Sequence, residues 1–324
     1  MVKKSLFILL LFGAVIPCFS WGFFAHKLVN RLAVFTLPEQ LLFFYKTNIE
    51  YVTEHAVDPD KRRYSDPEEA CRHYIDLDYY EHVAPVDTVP KYWKEAIAKY
   101  TEDTLKAYGI VPWHISLMKY KLTEAFKEKN VDRILKLSAE IGHYIADAHV
   151  PLHATMNYNG QLTNQKGIHG FWESRLPELY SNEYDFFVGK ATYVNDVLLA
   201  AWTASEGSFA AKDSVLDFER ALNKSFGADR KYAFEMRGQT QVKVYSKDYS
   251  EAYHHLLGNQ VERRMRASIL AVGCIWYTAW VDAGQPDLTK LGEQAPKLND
   301  EERKKLISEE QQLLQERKMI GREE

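Results

Sequence analysis

Apolar residues recur at three- and four-residue spacing over 25–36, 38–46, 66–74, 90–107, 113–129, 131–150 and 248–281. That spacing lines one face of a helix, so each segment is predicted helical. In 131–150 the repeating positions are Val131, Ile134, Leu135, Ile141, Tyr144 and Ile145. Strand-like patterning is confined to Lys231–Tyr245, where the stretch around Arg237-Gly238-Gln239 predicts a hairpin or an ordered loop. The segments 55–65, 76–89 and 154–168 show neither period and are predicted to be long loops. The pattern predicts an all-α fold, a single multi-helix domain over 21–285 whose core ends near Trp280. After Gln285 the chain turns polar and charged; in the tail 286–324, Leu306, Leu313 and Ile320 lie seven apart, which predicts a short helix with one apolar stripe.

The first residues change the picture of where this domain works. Lys3 and Lys4 precede an apolar run, Leu6 to Ile16, which is followed by Pro17, Cys18, Phe19 and Ser20. This is the pattern of an export signal over 1–20, cut before Trp21, and it predicts a periplasmic or extracellular protein. A lipoprotein cut before Cys18 fits less well because Pro17 precedes it. The net charge of −4 becomes −6 once Lys3 and Lys4 are removed, and no basic stripe tracks a phosphate backbone. Affinity for a polyanion must therefore be local, and bound metal is one source. Cys71 and Cys274 survive the cut; they form either one bridge or two buried thiols, not a disulfide scaffold. Nothing in the sequence requires a protein partner, and a monomer is expected.

Candidate chemistry concentrates in HYIADAHVPLH, residues 143–153. His143 and Asp147 are four apart and stack on one helical face, whereas His149 is rotated away by about 240°. Pro151 ends the helical ladder, which lets His153 swing back toward Asp147. His169 and Glu173, in HGFWES, repeat the four-residue offset. Imidazole and carboxylate donors without thiolate suit zinc. His149 is expected to support the ligands rather than join them. The start WGFFAH adds another donor set: a free Trp21 amine with its own carbonyl forms a five-membered chelate, and His26 stands five residues on.

WGxxxH at the mature start, HxxxDxHxPLH and HxxxE, in that order, resemble the zinc-dependent type I single-strand nucleases and the bacterial zinc-dependent phospholipases C, which share one all-α fold with long loops and a trinuclear zinc cleft. The motifs cover Trp21 to Glu173. The resemblance implies three Zn²⁺ per chain: Asp58, His73, His143 and Asp147 on the first, His153, His169 and Glu173 on the second, and Trp21 with His26 on the third, with Asp147 bridging first and third. It implies hydrolysis of a phosphodiester by water activated between the metals, with Asp58 and Asp147 as catalytic residues. Three Zn²⁺ carry +6 against −3 from Asp58, Asp147 and Glu173, which suits an anionic substrate.

The substrate is divided in the sequence, with single-stranded nucleic acid slightly ahead of phospholipid or another phosphate ester. The spacing of WGxxxH and DxHxPLH resembles the nucleases and favours single-stranded nucleic acid, with Tyr74 available to stack a base. Glu173 and Tyr144 resemble the phospholipases C and point to phospholipid head groups. Ser174 stands where the nucleases tend to carry an Asn that helps bind substrate, and ATMNYNGQLTNQKG replaces their glycine-rich segment. A third class, an exported zinc-binding protein without catalysis, is opposed by the complete ligand set.

Overall fold

The computed structural model describes residues 22–81, 88–237 and 240–289, with scattered positions from 291 to 309. The export signal and Trp21 lie outside the described residues, as does most of the tail, which is helical at the described positions between 301 and 309. The chain forms α1 Gly22–Ala33, α2 Glu39–Thr47, α3 Ile49–Glu54, α4 Asp58–Arg62, α5 Leu77–Glu81, α6 Trp93–Tyr100, α7 Glu102–Ala107, α8 Val111–Lys127 and α9 Val131–Asp147. After a short 3-10 turn, Pro151–Ala154, come α10 Ile168–Gly170, a π-helical turn Phe171–Arg175, and α11 Leu176–Tyr180. The 29-residue α12, Val197–Ser225, precedes the strands β1 Tyr232–Arg237 and β2 Thr240–Tyr245, then α13 Lys247–Leu257 and α14 Gln260–Asp282. No described helix is long and apolar enough to cross a membrane.

The all-α fold and the antiparallel hairpin follow the sequence pattern. Several boundaries do not. The segment 66–74 is turns with one 3-10 turn, Ala70–Arg72, because its apolar residues are too few to bury a helical stripe. The segment 90–107 breaks at Thr101, which takes φ 68 and caps α7 by accepting from the Thr104 N–H. The segment 248–281 breaks at Gly258, φ +59, where glycine takes the left-handed backbone without strain. α12 has no counterpart in the periodicity; its Ala, Ser and Gly blur the apolar face, and packing against α8 and the 151–154 turn stabilises it. The expected loop 55–65 holds α4, and α5 falls in the expected loop 76–89.

The helix α9 is the spine of the site. Asn130 caps it by accepting from the Arg133 N–H, and it packs against α8, α14 and α1. Gly142 sets the distance to α1: a Cβ there would sit 2.0 Å from Asn30 Oδ1. Asn30 in turn donates to the carbonyls of Val52 and Ala139, both at 3.0 Å, and fixes α1 across α9. One turn before Asn30, His26 is thereby stacked on His143 with ring centroids 3.9 Å apart. The main apolar core includes Ala146 and Ala148, whereas a second core, built on Phe171, Trp172, Tyr249 and Tyr253, includes Val150 and Leu152. Asp147 therefore lies where the two cores meet.

Cys71 and Cys274 are both buried free thiols, which resolves the alternative left open by the sequence. His114 on α8 packs edge-on against Tyr144, with centroids 4.4 Å apart. Burial, aided by Arg72, pushes its pKa down to about 3. Between that value and the unfolded value near 6.5, the unfolded chain binds the extra proton, so stability rises with pH. The neutral His114 costs nothing above pH 6.5, and each unit of acidification below it should remove about 1.4 kcal/mol. Replacing His114 by Phe should flatten urea stability between pH 6.5 and 4.5 relative to the parent. An unchanged slope would show that His114 does not govern that window.

Candidate metal centre

Five imidazoles and three carboxylates converge at this junction of the two cores. His26 comes from α1, Asp60 from α4, and His73 from the end of the 70–72 turn. His143 and Asp147 come from α9, His153 from the 151–154 turn, and His169 and Glu173 from α10 and the π turn. All eight are buried. Their donor atoms form overlapping triplets within 4.8 Å: His73, His143 and Asp147; His153, His169 and Glu173; His26, Asp147 and Glu173; and His26, Asp60 and His143.

Asp147 Oδ2 lies 3.0 Å from His73 Nδ1 and 3.2 Å from His143 Nε2, while Oδ1 lies 3.3 Å from His26 Nε2. Glu173 Oε1 lies 3.5 Å from His26 Nε2, and Oε2 lies 3.6 Å from His153 Nε2 and 2.6 Å from His169 Nε2. Four donors around zinc at about 2.0–2.2 Å stand roughly 3.3–3.6 Å from one another. Most of these separations lie near that range. Asp147 and Glu173 each face two groups of imidazoles, so Glu173 is shared between donor groups as the resemblance implied for Asp147 alone.

The outward ring nitrogens decide the tautomers. The Nδ1 of His143 donates to Ala56 O at 2.9 Å, that of His153 to His73 O at 2.7 Å, and that of His169 to Tyr158 O at 3.0 Å. A carbonyl only accepts, so each of these Nδ1 atoms carries a proton, and a neutral ring presents the Nε2 lone pair inward. Burial alone would raise the pKa of Asp147 and Glu173, but the surrounding histidines hold both well below the usual carboxylate range. Ionised carboxylates and inward lone pairs are what a zinc ion requires, and the donor set fits zinc.

The structure corrects one member of the expected set. Asp58 does not reach the cluster; its carboxylate lies 2.6 Å from His55 Nδ1 and 3.5 Å from Lys61 Nζ. Asp60 does, with Oδ1 3.8 Å from His73 Nδ1 and 3.6 Å from His143 Nε2. Two residues along α4 are rotated by about 200°, so only one of the two aspartates can face the histidines. The distinction depends on helix phase, which the sequence DPD leaves open.

The family described as zinc-dependent phospholipase C matches residues 25–236. The chain belongs to that family. No curated protein matches it. Among solved structures, the alpha-toxin of Clostridium perfringens from an avian strain is similar at 14% identity with a TM-score of 0.45; the match covers 83% of this chain and spans 65% of the toxin chain.

In this zinc-dependent phospholipase C relative, Tyr74 and His149 are placed differently from what the sequence suggested. Tyr74 follows His73 but is buried, and its hydroxyl donates to Ala107 O at 3.4 Å, so it offers no free face for stacking a base. Gly109 makes that packing fit, since a Cβ there would lie 2.1 Å from Tyr74 O. His149 lines a small cavity with His26 and Glu173, but its Nδ1 donates to Ile145 O at 2.7 Å, in the last turn of α9. Burial, with Arg264 nearby, pushes its pKa down to about 4. The contacts that orient the imidazoles of the cluster come instead from the carbonyls of Ala56, His73 and Tyr158, and from Glu69.

Glu69 was not singled out in the sequence, and it has no exposed surface. Its Oε1 lies 3.4 Å from His73 Nε2 and accepts from the Tyr144 hydroxyl. Its Oε2 accepts from Arg62 Nε at 3.1 Å and from Arg72 at 2.5 Å. Burial opposes its charge, yet His73, Tyr144 and Arg62 lower its pKa below the usual carboxylate value. A carboxylate behind a ligating imidazole fixes the ring and raises its basicity. The four-residue offset to His73 was the available signal. Glu69→Gln keeps the shape and should weaken zinc affinity about 10- to 100-fold, read by competition with a chromophoric chelator. Unchanged affinity would reduce Glu69 to a partner of the two arginines.

Proposed function

We propose that the chain is an exported hydrolase of phosphodiesters that holds three zinc ions and acts on phospholipid head groups. The observation that carries this reading is the sharing of Asp147 and Glu173 among the three histidine groups, since a carboxylate has two oxygens and one side chain can serve two metals. Asp60, His73, His143 and Asp147 would hold the first zinc, His153, His169 and Glu173 the second, and His26 the third, with Asp147 and Glu173 shared. The Trp21 amine and carbonyl would complete the third site after cleavage of residues 1–20. Bound zinc supplies Lewis acidity, which lowers the pKa of water and offsets phosphoryl charge.

The chain's own groups supply the rest. Three carboxylates from Asp60, Asp147 and Glu173 leave three zinc ions with a surplus positive charge, which attracts an anionic diester and opposes a cationic ligand. Burial of all eight donors excludes competing water and strengthens each electrostatic contact. Asp60 takes over the role first expected of Asp58, orienting the attacking water and accepting its proton. Membership of the zinc-dependent phospholipase C family supports the phospholipid substrate. Single-stranded nucleic acid is the second reading, favoured by the spacing of WGxxxH and DxHxPLH. Parallel assays of the mature protein on phosphatidylcholine, single-stranded DNA and RNA separate them. Release of phosphocholine with intact polynucleotides is the expected result; cleavage of the polynucleotides alone would favour the nuclease reading, and no hydrolysis by zinc-loaded protein would leave a zinc-binding role.

A further inference from the structure

The hairpin beside the site exposes side chains that a folded protein ordinarily covers. Along β1, Tyr232, Phe234 and Met236 share one face and are 36%, 68% and 64% exposed. Across the ladder they face Tyr245, Lys243 and Gln241. At its base this same face joins the protein body, because Tyr245 stacks on Phe171 with centroids 3.8 Å apart. Outward from there, Phe234 and Met236 continue the apolar stripe into solvent.

The hairpin is also tied to the metal centre. Arg175, on the π turn that carries Glu173, donates to Tyr245 O at 3.1 Å and forms a bidentate ion pair with Glu235 at 2.9 and 2.5 Å. A free two-stranded hairpin is marginally stable, so this clamp and the Tyr245–Phe171 stack fix its direction. From Asp229 to Asp248 the sequence places five cations, Arg230, Lys231, Arg237, Lys243 and Lys247, against three acids, within a chain of net charge −4. Two of the acids are paired, Glu235 with Arg175 and Asp248 with Arg230, and Lys231 pairs with the buried Glu219.

We infer that the hairpin Tyr232–Tyr245 is an interfacial anchor that inserts Phe234 and Met236 into an anionic lipid surface and holds the metal centre beside it. Apolar side chains with Lys243 across from Phe234, in a segment with more cations than acids, match the acyl boundary and the phosphates of such a surface. Tyr232, with Lys243 Nζ 3.9 Å over its ring, suits the polar side of that boundary. A single-stranded polynucleotide would use the same cations but needs successive aromatic platforms, and Met236 provides none. The anchor rests on the phosphodiesterase reading for the substrate it serves, not for its lipid contact.

The test uses the mature protein and its Phe234→Ser/Met236→Ser variant, both zinc-loaded. Sedimentation with vesicles of phosphatidylcholine and phosphatidylglycerol should carry down the parent and bind the double variant about 100-fold more weakly. Turnover of bis(p-nitrophenyl) phosphate, a soluble diester, should be equal in the two, since neither residue touches the cluster. Lys243→Glu should weaken binding to the mixed vesicles more than to pure phosphatidylcholine. Parent protein that stays in the supernatant, or a double variant that sediments equally well, would overturn the anchor. So would loss of single-stranded DNA binding in the double variant without loss of vesicle binding. Hairpin-dependent sedimentation by protein that hydrolyses no diester would sustain the anchor while removing the phosphodiesterase reading.

Discussion

Asp147→Asn should lower the turnover of any phosphodiester substrate by about 10³-fold or more, a loss of the size seen when one buried electrostatic group is removed from a site. Both oxygens of this carboxylate are engaged: Oδ2 faces His73 and His143, and Oδ1 faces His26, with His153 Nε2 at 3.9 Å. Asparagine preserves the volume but turns one oxygen into an amide nitrogen, which donates and cannot ligate a cation. It also removes a negative charge from a residue only 1% exposed, where water cannot compensate. Elemental analysis of the variant should find fewer zinc ions per chain than the three expected of the parent. His149→Ala is the control: its ring bonds to the Ile145 carbonyl in the last turn of α9, so turnover should fall less than tenfold. If the asparagine variant kept three zinc ions and full turnover, Asp147 would not be a shared ligand.

Chelation of zinc should lower the melting temperature by about 10 °C and abolish hydrolysis in the same titration. The donors come from α1, α4, the 70–73 turn, α9, the 151–154 turn and the 168–173 segment, so the metals tie together parts of the chain that are distant in sequence. A ligand present at a thousandfold excess over its dissociation constant stabilises the native state by about 4 kcal/mol. At roughly 2–4 °C per kcal/mol, that corresponds to about 10 °C. Differential scanning calorimetry with and without chelator, with zinc measured on the same samples, gives the comparison. A melting temperature unchanged after complete loss of zinc would show that the hydrogen bonds of the donor rings alone hold the cluster.

Much of the buried cluster was legible because its motifs are local. The offsets His143 to Asp147 and His169 to Glu173 follow from helical geometry alone, and Pro151 turns His153 back toward them, as the structure shows. The all-α class and the hairpin were equally local, set by periods of 3.6 and two. The family followed from the order and spacing of the motifs.

Tertiary structure decided the rest. Whether Asp58 or Asp60 faces the histidines depends on the phase of the five-residue α4, which its neighbours fix and its sequence does not. Glu69 acquires a role only when folding buries its carboxylate between His73 and two arginines. Tyr74 loses its expected role because Gly109, thirty-five positions away, opens the space that buries it. The long α12 is held by packing on α8 and the 151–154 turn, since its own apolar pattern is diffuse. Sequence spacing thus determined which donor types could meet within one helix or turn. Which residues from separate segments meet there depended on side-chain contacts that exist only once the two cores have closed around α9.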